Sequence, residues 1–399
     1  MQTAQPNYFP ALTGVRALAA YLVFISHYDY VGEDIFPAWL TRFFHEFHIG
    51  VTVFFVLSGF LITYRYYNNF QLTGNWFRKY LKNRVARIYP MYFLLTTAAF
   101  VYWYFTKDPV ITKNFPSPFG LYLMNVFFVR GFFSQLWDTG IAQGWSLTVE
   151  ECFYFSAPFI FYLAAKFKRL YVQPVIITAF GVLLVLIFRN VNWYGLFGNF
   201  TFMMLYTFFG RCFEFFVGMF LALQLLNKGF GRTNNIRYTY IGFVSIFALV
   251  AVMSRLPIPD GAVAGLQHPV GIILNNYFIA AAIALFFYGL LTEDTSMKSA
   301  LALPFVELLG KASYIFYLIH LGYIYIFFHN WFDQLNEKAF NLYDKWGVDW
   351  PSPFQFGLLN LLYGFIILNI ISIILFKFIE EPLNHYIRKS RFLESRRFN

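Results

Sequence analysis

Charged residues are scarce in this sequence. Asp, Glu, Lys and Arg make up only 13% of its 399 residues, whereas hydrophobic types make up 59% and aromatic types 23%. Soluble domains carry about a quarter charged residues, because they need polar side chains to cover an apolar core. The deficit excludes a disordered chain, a coiled coil and an ordinary soluble domain. The sequence therefore predicts an all-α polytopic membrane protein.

Cysteine is also scarce, with only Cys152 and Cys212, and both fall inside apolar segments. We therefore expect no disulfide framework, and the absence of a CxxC motif or a Cys/His cluster gives no reason to expect a metal. The first ten residues lack the basic segment and the cleavage site of a secretory signal, so the first helix is expected to remain as an anchor. The net charge of +10 is attributed to cytoplasmic loops rather than to nucleic-acid binding.

About ten segments are apolar enough to cross a bilayer, which takes roughly 20 residues. The ten predicted spans lie near residues 11–30, 47–66, 86–106, 146–166, 171–189, 203–226, 238–255, 268–291, 305–330 and 355–378. The shorter segment 119–135 is interrupted by glycine and is interpreted as re-entrant or interfacial. No internal repeat is evident, so we expect a single integral-membrane domain over residues 1–399.

The distribution of basic residues predicts the orientation of these spans. With the N-terminus in the cytoplasm, twenty Lys and Arg residues fall on the cytoplasmic side and eight on the outer side. The remaining two of the 30, Arg16 and Arg211, lie inside spans. Cytoplasmic loops of membrane proteins are enriched in Lys and Arg, so both termini are predicted to be cytoplasmic. An even number of spans agrees with this assignment.

The first span carries Arg16 and His27, which are eleven residues apart. At about 100° per residue the two side chains return to within roughly 20° of the same helix face, with a rise of about 16 Å. Arg16 is expected near the cytoplasmic end and His27 near the outer end. Ionisable groups inside a bilayer are functional candidates, although an isolated histidine is more often a packed hydrogen-bonding group.

The fourth span begins with GWSLTVEECFYF, where Glu150 shares a helix face with Ser146 and Tyr154. Glu150 is expected at the same depth as His27, where a carboxylate would orient the imidazole and stabilise its protonated form. The alternative is that Glu150 pairs with Arg211 or Arg16 and only holds helices together.

The ninth span contains KASYIFYLIH, which places Ser313, Tyr317 and His320 on one helix face. Such a face either points into a wet cavity or forms an aromatic packing stripe with one satisfied histidine, and the sequence leaves both interpretations open.

Three further arginines stand at apolar segments. In the sixth span Arg211 and Glu214 are three residues apart, a spacing that predicts a structural ion pair within the helix. Arg84 and Arg87 stand at the cytoplasmic entrance of the third span. A guanidinium suits phosphate through paired hydrogen bonds, but ordinary cytoplasmic flanking also places Arg there. His45, His48, His268, His329 and His385 are assigned no role.

These residues resemble the bacterial integral-membrane acyltransferase family 3, whose members O-acylate surface polysaccharides and other glycosides. The matching features, in family order, are Arg16 with ten residues before His27, GVTVFFVLSGFLIT at 50–63, RVARIYPMY at 84–92, WSLTVEECFYF at 145–155, GRCFEFFVGMFLA at 210–222, SYIFYLIH at 313–320 and FIEEPLNHYI at 378–387. Each is degenerate alone, but the ordered set is specific and runs through most of the chain.

Two features depart from the family pattern. Thr52 stands where family members usually have an acidic residue, and a second acid, Glu380, precedes the Glu381-Pro382 pair. Some members carry a soluble hydrolase-like domain after the last helix; none is expected here, so any acyl-handling partner would be a separate, periplasmic protein.

The resemblance implies a membrane-bound O-acyltransferase in the bacterial inner membrane. It implies cytoplasmic acyl-coenzyme A as the donor, acetyl-coenzyme A by default, and a hydroxyl of a cell-envelope glycan or glycoside as the acceptor. It marks Arg16 and His27 as essential. We expect Arg16, Arg84 and Arg87 to hold the donor's phosphates and His27 to act as general base with support from Glu150.

The other polar residues receive supporting or structural roles. Ser146, Tyr317 or His320 is expected to donate a hydrogen bond to the oxyanion, a contribution worth about 3 kcal/mol. Tyr154, Arg211, Glu214 and Ser313 complete the candidate set. The aromatic loops at 31–46, 107–145 and 331–354 are expected to shape the outer acceptor site.

Two other functions fit a membrane protein with buried polar groups. A proton-coupled transporter would use the Arg, Glu and His residues as a relay. The lack of a visible repeat and the separation of a basic mouth from an outer His/Glu group argue against it. A membrane scaffold would leave the aligned polar faces unexplained.

Overall fold

The computed structural model describes residues 8–27, 36–191, 193–231, 237–354 and 357–390. Residues 28–30 of the first predicted span, residues 355–356 of the last and residues 31–35 of the predicted loop 31–46 lie outside these ranges. Within them the chain forms helices and turns and no strand. The α-helices are α1 Pro10–Ser26, α2 Ala38–His45, α3 Gly50–Tyr66, α4 Gly74–Thr106, α5 Pro109–Thr112, α6 Pro118–Val126, α7 Gly144–Phe167, α8 Gln173–Phe188, α9 Phe200–Tyr206, α10 Phe208–Lys228, α11 Tyr238–Met253, α12 Pro269–Ile273, α13 Ala280–Thr292, α14 Ser296–Leu301, α15 Pro304–Ile319, α16 Tyr323–Trp346, α17 Gly357–Leu375 and α18 Glu381–Lys389.

Several helical stretches are long and apolar enough to cross a membrane, so the chain is an all-helical, multi-pass membrane protein. Six stretches of the described chain meet both conditions: Ala38–Tyr66, Gly74–Thr106, Leu170–Phe188, Phe200–Lys228, Pro269–Thr292 and Leu358–Lys389. Helices α1 and α11 are apolar but shorter. The ten predicted spans all overlap helices, while the number that crosses the bilayer stays a prediction.

The predicted span 305–330 is not one helix. Helix α15 ends at Ile319, and α16 begins at Tyr323 after a break. Gly322 in the break has φ +77°, a left-handed conformation that glycine adopts without steric cost. The break places His320 directly after the last residue of α15, at the C-terminal end of that helix.

The centre of the bundle is built on close helix contacts through glycine. A Cβ atom added to Gly59 of α3 would lie 2.1 Å from the carbonyl oxygen of Phe215 in α10. One added to Gly218 of α10 would lie 2.0 Å from the carbonyl oxygen of Val56 in α3. Small residues allow helix backbones in membranes to approach this closely. The contact fixes α3, which supplies one wall of the site described below.

A buried arginine shapes the loop that leads into α7. Arg130 is fully buried and donates hydrogen bonds to the carbonyl oxygens of Trp137 and Ile141. The charge distribution counts Arg130 among the eight basic residues on the outer side of the membrane. Its donors instead satisfy carbonyl groups of an irregular segment, which positions the first turn of α7.

Candidate active site

Three arginines face one internal cavity. Arg16 of α1 and Arg84 and Arg87 of α4 line it together with Ser58 of α3 and Glu150 of α7. Arg84 and Arg87 are three residues apart and therefore lie on one side of α4. The structure thus brings together the three arginines that the sequence predicted to bind acyl-coenzyme A.

The arginines stand where two cavities meet. The second cavity shares Arg16, Arg84 and Arg87 with the first and extends to Tyr8 at the start of α1 and Arg65 at the end of α3. The first continues in the other direction to Ser146, Tyr154 and Tyr317, which also line it. The two cavities together form a path from the helix ends, past the three guanidinium groups, into the bundle.

The arginine cluster has more positive than negative charge. Within the described part of the chain, Arg16 and Arg87 have no ion pair within 4 Å and no side-chain hydrogen bond. The Cζ atom of Arg84 lies 5.6 Å from the ring centre of Tyr66 and 5.7 Å from that of Tyr154. The buried Nε of Arg84 has no hydrogen-bond partner in the described chain. Two acids, Glu150 and Glu380, interact with Arg16 electrostatically. Guanidinium donors left open towards a cavity form a site that fits phosphate groups.

Glu150 belongs to the arginine cavity. Its carboxylate accepts hydrogen bonds from Ser58 Oγ at 2.7 Å and Tyr154 Oη at 3.3 Å. Among the described residues no hydrogen bond joins Glu150 to His27, so the predicted direct contact is not present. The expected equal depth is not observed: Glu150 interacts electrostatically with Arg87 and Arg16, whereas the ring of His27 lies against His320 of α15.

His27 is held by the last turn of α1. Its Nδ1 lies 2.8 Å from the carbonyl oxygen of Val23, and its ring centre lies 5.4 Å from that of His320. A carbonyl oxygen only accepts hydrogen bonds, so Nδ1 carries a hydrogen, and in the neutral ring the lone pair is then on Nε2. The helix backbone therefore gives His27 the orientation that was expected from Glu150.

His320 is fully buried at the end of α15. Its Nδ1 lies 2.8 Å from the carbonyl oxygen of Tyr317, and its Nε2 has no hydrogen-bond partner. The same reasoning assigns the hydrogen to Nδ1, which makes Nε2 an acceptor. Neutral His320 is therefore not an oxyanion donor through Nε2, contrary to one of the predicted roles.

Polar groups lie between the histidines and the arginine cavity. Ser146 Oγ lies 2.8 Å from Tyr317 Oη. Gln143 Nε2 lies 3.4 Å from His320 Nδ1, but both atoms carry hydrogen in this tautomer, so the two do not form a hydrogen bond. Gln143, Ser146 and Glu150 recur three and four residues apart, so the start of α7 presents them along one face. Ser146 and Tyr317, two of the three residues named as oxyanion donors, are therefore in contact with each other.

Three residues in this region were not singled out from the sequence. Ser58 is a neutral residue in an apolar helix, Gln143 precedes the first turn of α7, and His48 lies in the turn Glu46–Ile49. His48 interacts electrostatically with His27. Polar character inside the span was a usable signal for Ser58, whereas the contacts of Gln143 and His48 depend on the tertiary fold.

Arg211 and Glu214 form the predicted pair within α10, with Nε and Oε1 2.9 Å apart. Arg211 also donates to Thr52 Oγ1 at 3.1 Å, and Thr52 donates to Asn275 Oδ1 at 3.0 Å. All four side chains are buried. Thr52, at the position where the family usually has an acid, thus completes a network in which Glu214 supplies the carboxylate.

Ser313 does not join the polar chain. Its hydroxyl donates to the carbonyl oxygen of Gly310 in its own helix, at 2.8 Å, and the side chain is buried. Its position on the face of Tyr317 and His320 was predicted, but its hydrogen bond is local. Within the described residues there is no group of three or more His, Cys, Asp or Glu side chains that could hold a metal ion.

The described chain is a helical membrane bundle with a cavity lined by three arginines, and its two packed histidines lie beyond Tyr317. The chain matches the acyltransferase domain family, known as acyltransferase family 3, over residues 9–378. This match covers most of the chain, and the protein belongs to that family, as its motifs predicted.

Two curated relatives carry activity names. The O-acetyltransferase OatA of Staphylococcus aureus is 25% identical over 342 residues, which are 82% of this chain and 52% of the relative. The peptidoglycan O-acetyltransferase OatA of Listeria monocytogenes is 29% identical over 165 residues, 38% of this chain and 24% of the relative. The chain thus spans about half the length of the staphylococcal relative. No solved structure matches the chain.

Proposed function

We propose that this protein is a membrane O-acyltransferase that transfers an acetyl group from acetyl-coenzyme A to a hydroxyl of a glycan or glycoside. The observation that carries the proposal is the cavity lined by three arginines that reaches Ser146 and Tyr317. The ring of His320 packs on that of Tyr317, and the ring of His27 packs on that of His320. Family membership and the names of the relatives support acyl transfer and do not favour the transporter.

The arginine cluster is the proposed donor site. Arg16, Arg84 and Arg87 bind the phosphates of coenzyme A, because their guanidinium groups face the cavity with open hydrogen-bond donors. The rise from Arg16 to His27 is about 16 Å along α1, of the order of a pantetheine arm. A donor with phosphates at the arginines then places its thioester near His27 without crossing the bilayer.

His27 acts as general base in the proposed reaction. Val23 fixes the hydrogen on Nδ1, and Nε2 takes the proton of the acceptor hydroxyl as its oxygen attacks the thioester carbonyl. A carbon–oxygen bond forms, the carbon–sulfur bond breaks, and the thiolate of coenzyme A leaves. The proton on His27 then passes to the sulfur, which returns the imidazole to its neutral form.

The hydroxyl groups of Ser146 and Tyr317 are the proposed oxyanion donors. They are hydrogen-bonded to each other at 2.8 Å, so turning one of them towards the carbonyl oxygen supplies a donor. Glu150 supports catalysis from the cavity rather than by contact with His27. Hydrogen-bonded to Ser58 and Tyr154, it adds negative charge between the arginines and the reacting end.

The proposed setting is the bacterial inner membrane. The ten spans, with both termini in the cytoplasm, would open the arginine cavity to cytoplasmic donor and place His27 near the outer face. The acceptor glycan would approach from there, past the aromatic loops 107–145 and 331–354. An acyl-handling partner in the periplasm would be a separate chain.

Binding of the donor tests this proposal. Purified protein in detergent is melted with and without millimolar acetyl-coenzyme A, alongside Arg16→Ala and a control, Arg78→Ala, which alters an exposed arginine of α4 outside both cavities. A ligand that binds only the folded state stabilises it by about 2.7 kcal/mol at a hundredfold excess over Kd. We expect a clear upward shift in Tm for the native protein and Arg78→Ala, and loss of the shift in Arg16→Ala.

Two results would contradict the proposal. A folded native protein with no shift would exclude acetyl-coenzyme A as donor and make transport assays the next step. An equal shift in Arg16→Ala would remove the arginine cavity as the donor site, even if coenzyme A binds elsewhere.

A further inference from the structure

A second, larger groove opens on the side of the bundle away from the arginine cavity. Helix α13 packs against α10, and the groove lies along α10 between α13 and the segment that ends in Pro174, the second residue of α8. Phe213, Val217 and Phe220 form its α10 wall, and Ala281 and Ala284 of α13 leave space opposite. None of its lining residues belongs to the two cavities that contain the arginines.

The groove has a polar, cationic end. Lys168, just after α7, and Lys228, the last residue of α10, both line it and are exposed, with Gln224 and Asn227 beside them. In the part of the chain that the structure describes, neither lysine forms an ion pair. Two lysines from different helices therefore converge on one end of an otherwise apolar groove, without a protein anion to balance them.

The length of the groove corresponds to one leaflet of a bilayer. From Phe213 to Lys228 there are fifteen residue steps, or about 22 Å along the helix. One leaflet of a bilayer, including its headgroup region, is about 20–22 Å thick. An acyl chain can therefore run from the lysines to the middle of the membrane along α10, with a headgroup at the basic end.

We infer that this groove is a binding site for an anionic phospholipid, whose phosphate group contacts Lys168 and Lys228 and whose acyl chain lies between α10 and α13. The occupant must be apolar over most of its length, because the groove is bounded by phenylalanine, leucine and alanine at membrane depth. It must be anionic at one end, because basic residues near a membrane surface attract anionic headgroups. The bilayer leaflet that contacts the lysines supplies such a molecule directly.

The site is expected to stabilise the bundle without taking part in acyl transfer. α10 contacts α3 through Gly218 on one face and lines the groove with Val217 and Phe220 on another. A bound lipid would pack against the exposed face of this central helix. The test can therefore use binding and stability of the whole protein, and its outcome does not depend on the proposed activity.

The experiment measures lipid binding to delipidated protein in detergent, by native mass spectrometry, with phosphatidylglycerol and phosphatidylcholine as the two probes. The double variant Lys168→Glu/Lys228→Glu is compared with Lys79→Glu/Lys166→Glu, which makes the same charge change at exposed lysines outside the groove. We expect the native protein and the control to prefer phosphatidylglycerol, and the groove variant to bind it at least roughly tenfold more weakly. Phosphatidylglycerol should also raise the Tm of the native protein and of the control only.

A second variant keeps the test independent of charge. Ala281→Trp places a bulky side chain in the groove from an exposed position and should lower phosphatidylglycerol binding while the protein remains folded. Equal binding of the two lipids by the native protein would overturn the proposal. So would an unchanged preference in the lysine variant, or full binding in Ala281→Trp.

Discussion

His27 and His320 have the same hydrogen-bonding arrangement but different surroundings. Both rings are held through Nδ1 by a backbone carbonyl at 2.8 Å, yet His27 is exposed and His320 is completely buried. An acceptor hydroxyl arriving from outside the bundle therefore meets His27 first. His320 packs against it and limits the positions that its ring can take.

Replacing His27 with Ala should lower the acyl-transfer rate about 10²–10⁴-fold, the contribution expected from a general base. The Tm shift with acetyl-coenzyme A should be retained, because the arginines lie at the other end of the site. His385→Ala is the matched control: His385 also directs Nδ1 at the carbonyl four residues earlier, at 3.0 Å, but lies in α18. Turnover of a chosen acceptor and ligand-dependent melting measure the two effects. Full activity of folded His27→Ala would remove the residue from the mechanism.

Residue spacing predicted contacts within a helix better than contacts between helices. The Arg211–Glu214 pair follows from the repeat of one α-helix, and the structure contains it. The bond from Ser58 to Glu150 joins α3 to α7 across 92 residues of sequence. No local pattern specifies which helices are neighbours. The predicted depth in the membrane suggested His27 as the partner of Glu150, whereas the observed partners are Ser58 and Tyr154.

At the scale of the helices, the α3–α10 contact depends on two residues without side chains. Gly218→Ala should destabilise the protein by about 1–3 kcal/mol, because its Cβ would lie 2.0 Å from the Val56 carbonyl oxygen and the backbone has to shift. Gly74→Ala, in the first turn of α4, has no atom within 4 Å of the new Cβ and should change stability by no more than about 1 kcal/mol. Thermal unfolding in one detergent measures both, and similar Tm values for the two variants would contradict the close-packing account.

Hydrophobicity predicted where helices occur and failed where a helix ends inside an apolar run. Segment 305–330 is mostly apolar on both sides of the break, so its hydrophobicity marks no boundary at residues 320–322. The single signal is Gly322, whose positive φ separates α15 from α16. Glycine is common in membrane helices, so this residue alone did not identify the break.

Across the whole molecule, contacts between loops connect segments that the charge analysis assigned to the same side. Arg42 donates to the carbonyl oxygen of Leu256 at 2.6 Å, and both were assigned outside. The hydroxyl groups of Tyr240 and Ser296 lie 2.8 Å apart near the opposite ends, where both were assigned inside. Both contacts join segments on the same predicted side, while the number and orientation of the spans stay predictions. These contacts relate loops to one another, whereas the cytoplasmic assignment depends on the distribution of Lys and Arg.

Cysteine labelling tests that assignment and, with it, the side from which the arginine cavity opens. In a background with Cys152→Ser and Cys212→Ala, which removes both native thiols, single cysteines replace Asp260 and Ala300, exposed residues on opposite predicted sides. A membrane-impermeant maleimide should label Asp260→Cys in intact cells and Ala300→Cys only after permeabilisation. The reverse pattern would place the arginines on the outer side, where a cytoplasmic acyl-coenzyme A could not reach them. Labelling of both positions in intact cells would place Asp260 and Ala300 on the same side of the membrane. The prediction that one span crosses the bilayer between them would then be wrong.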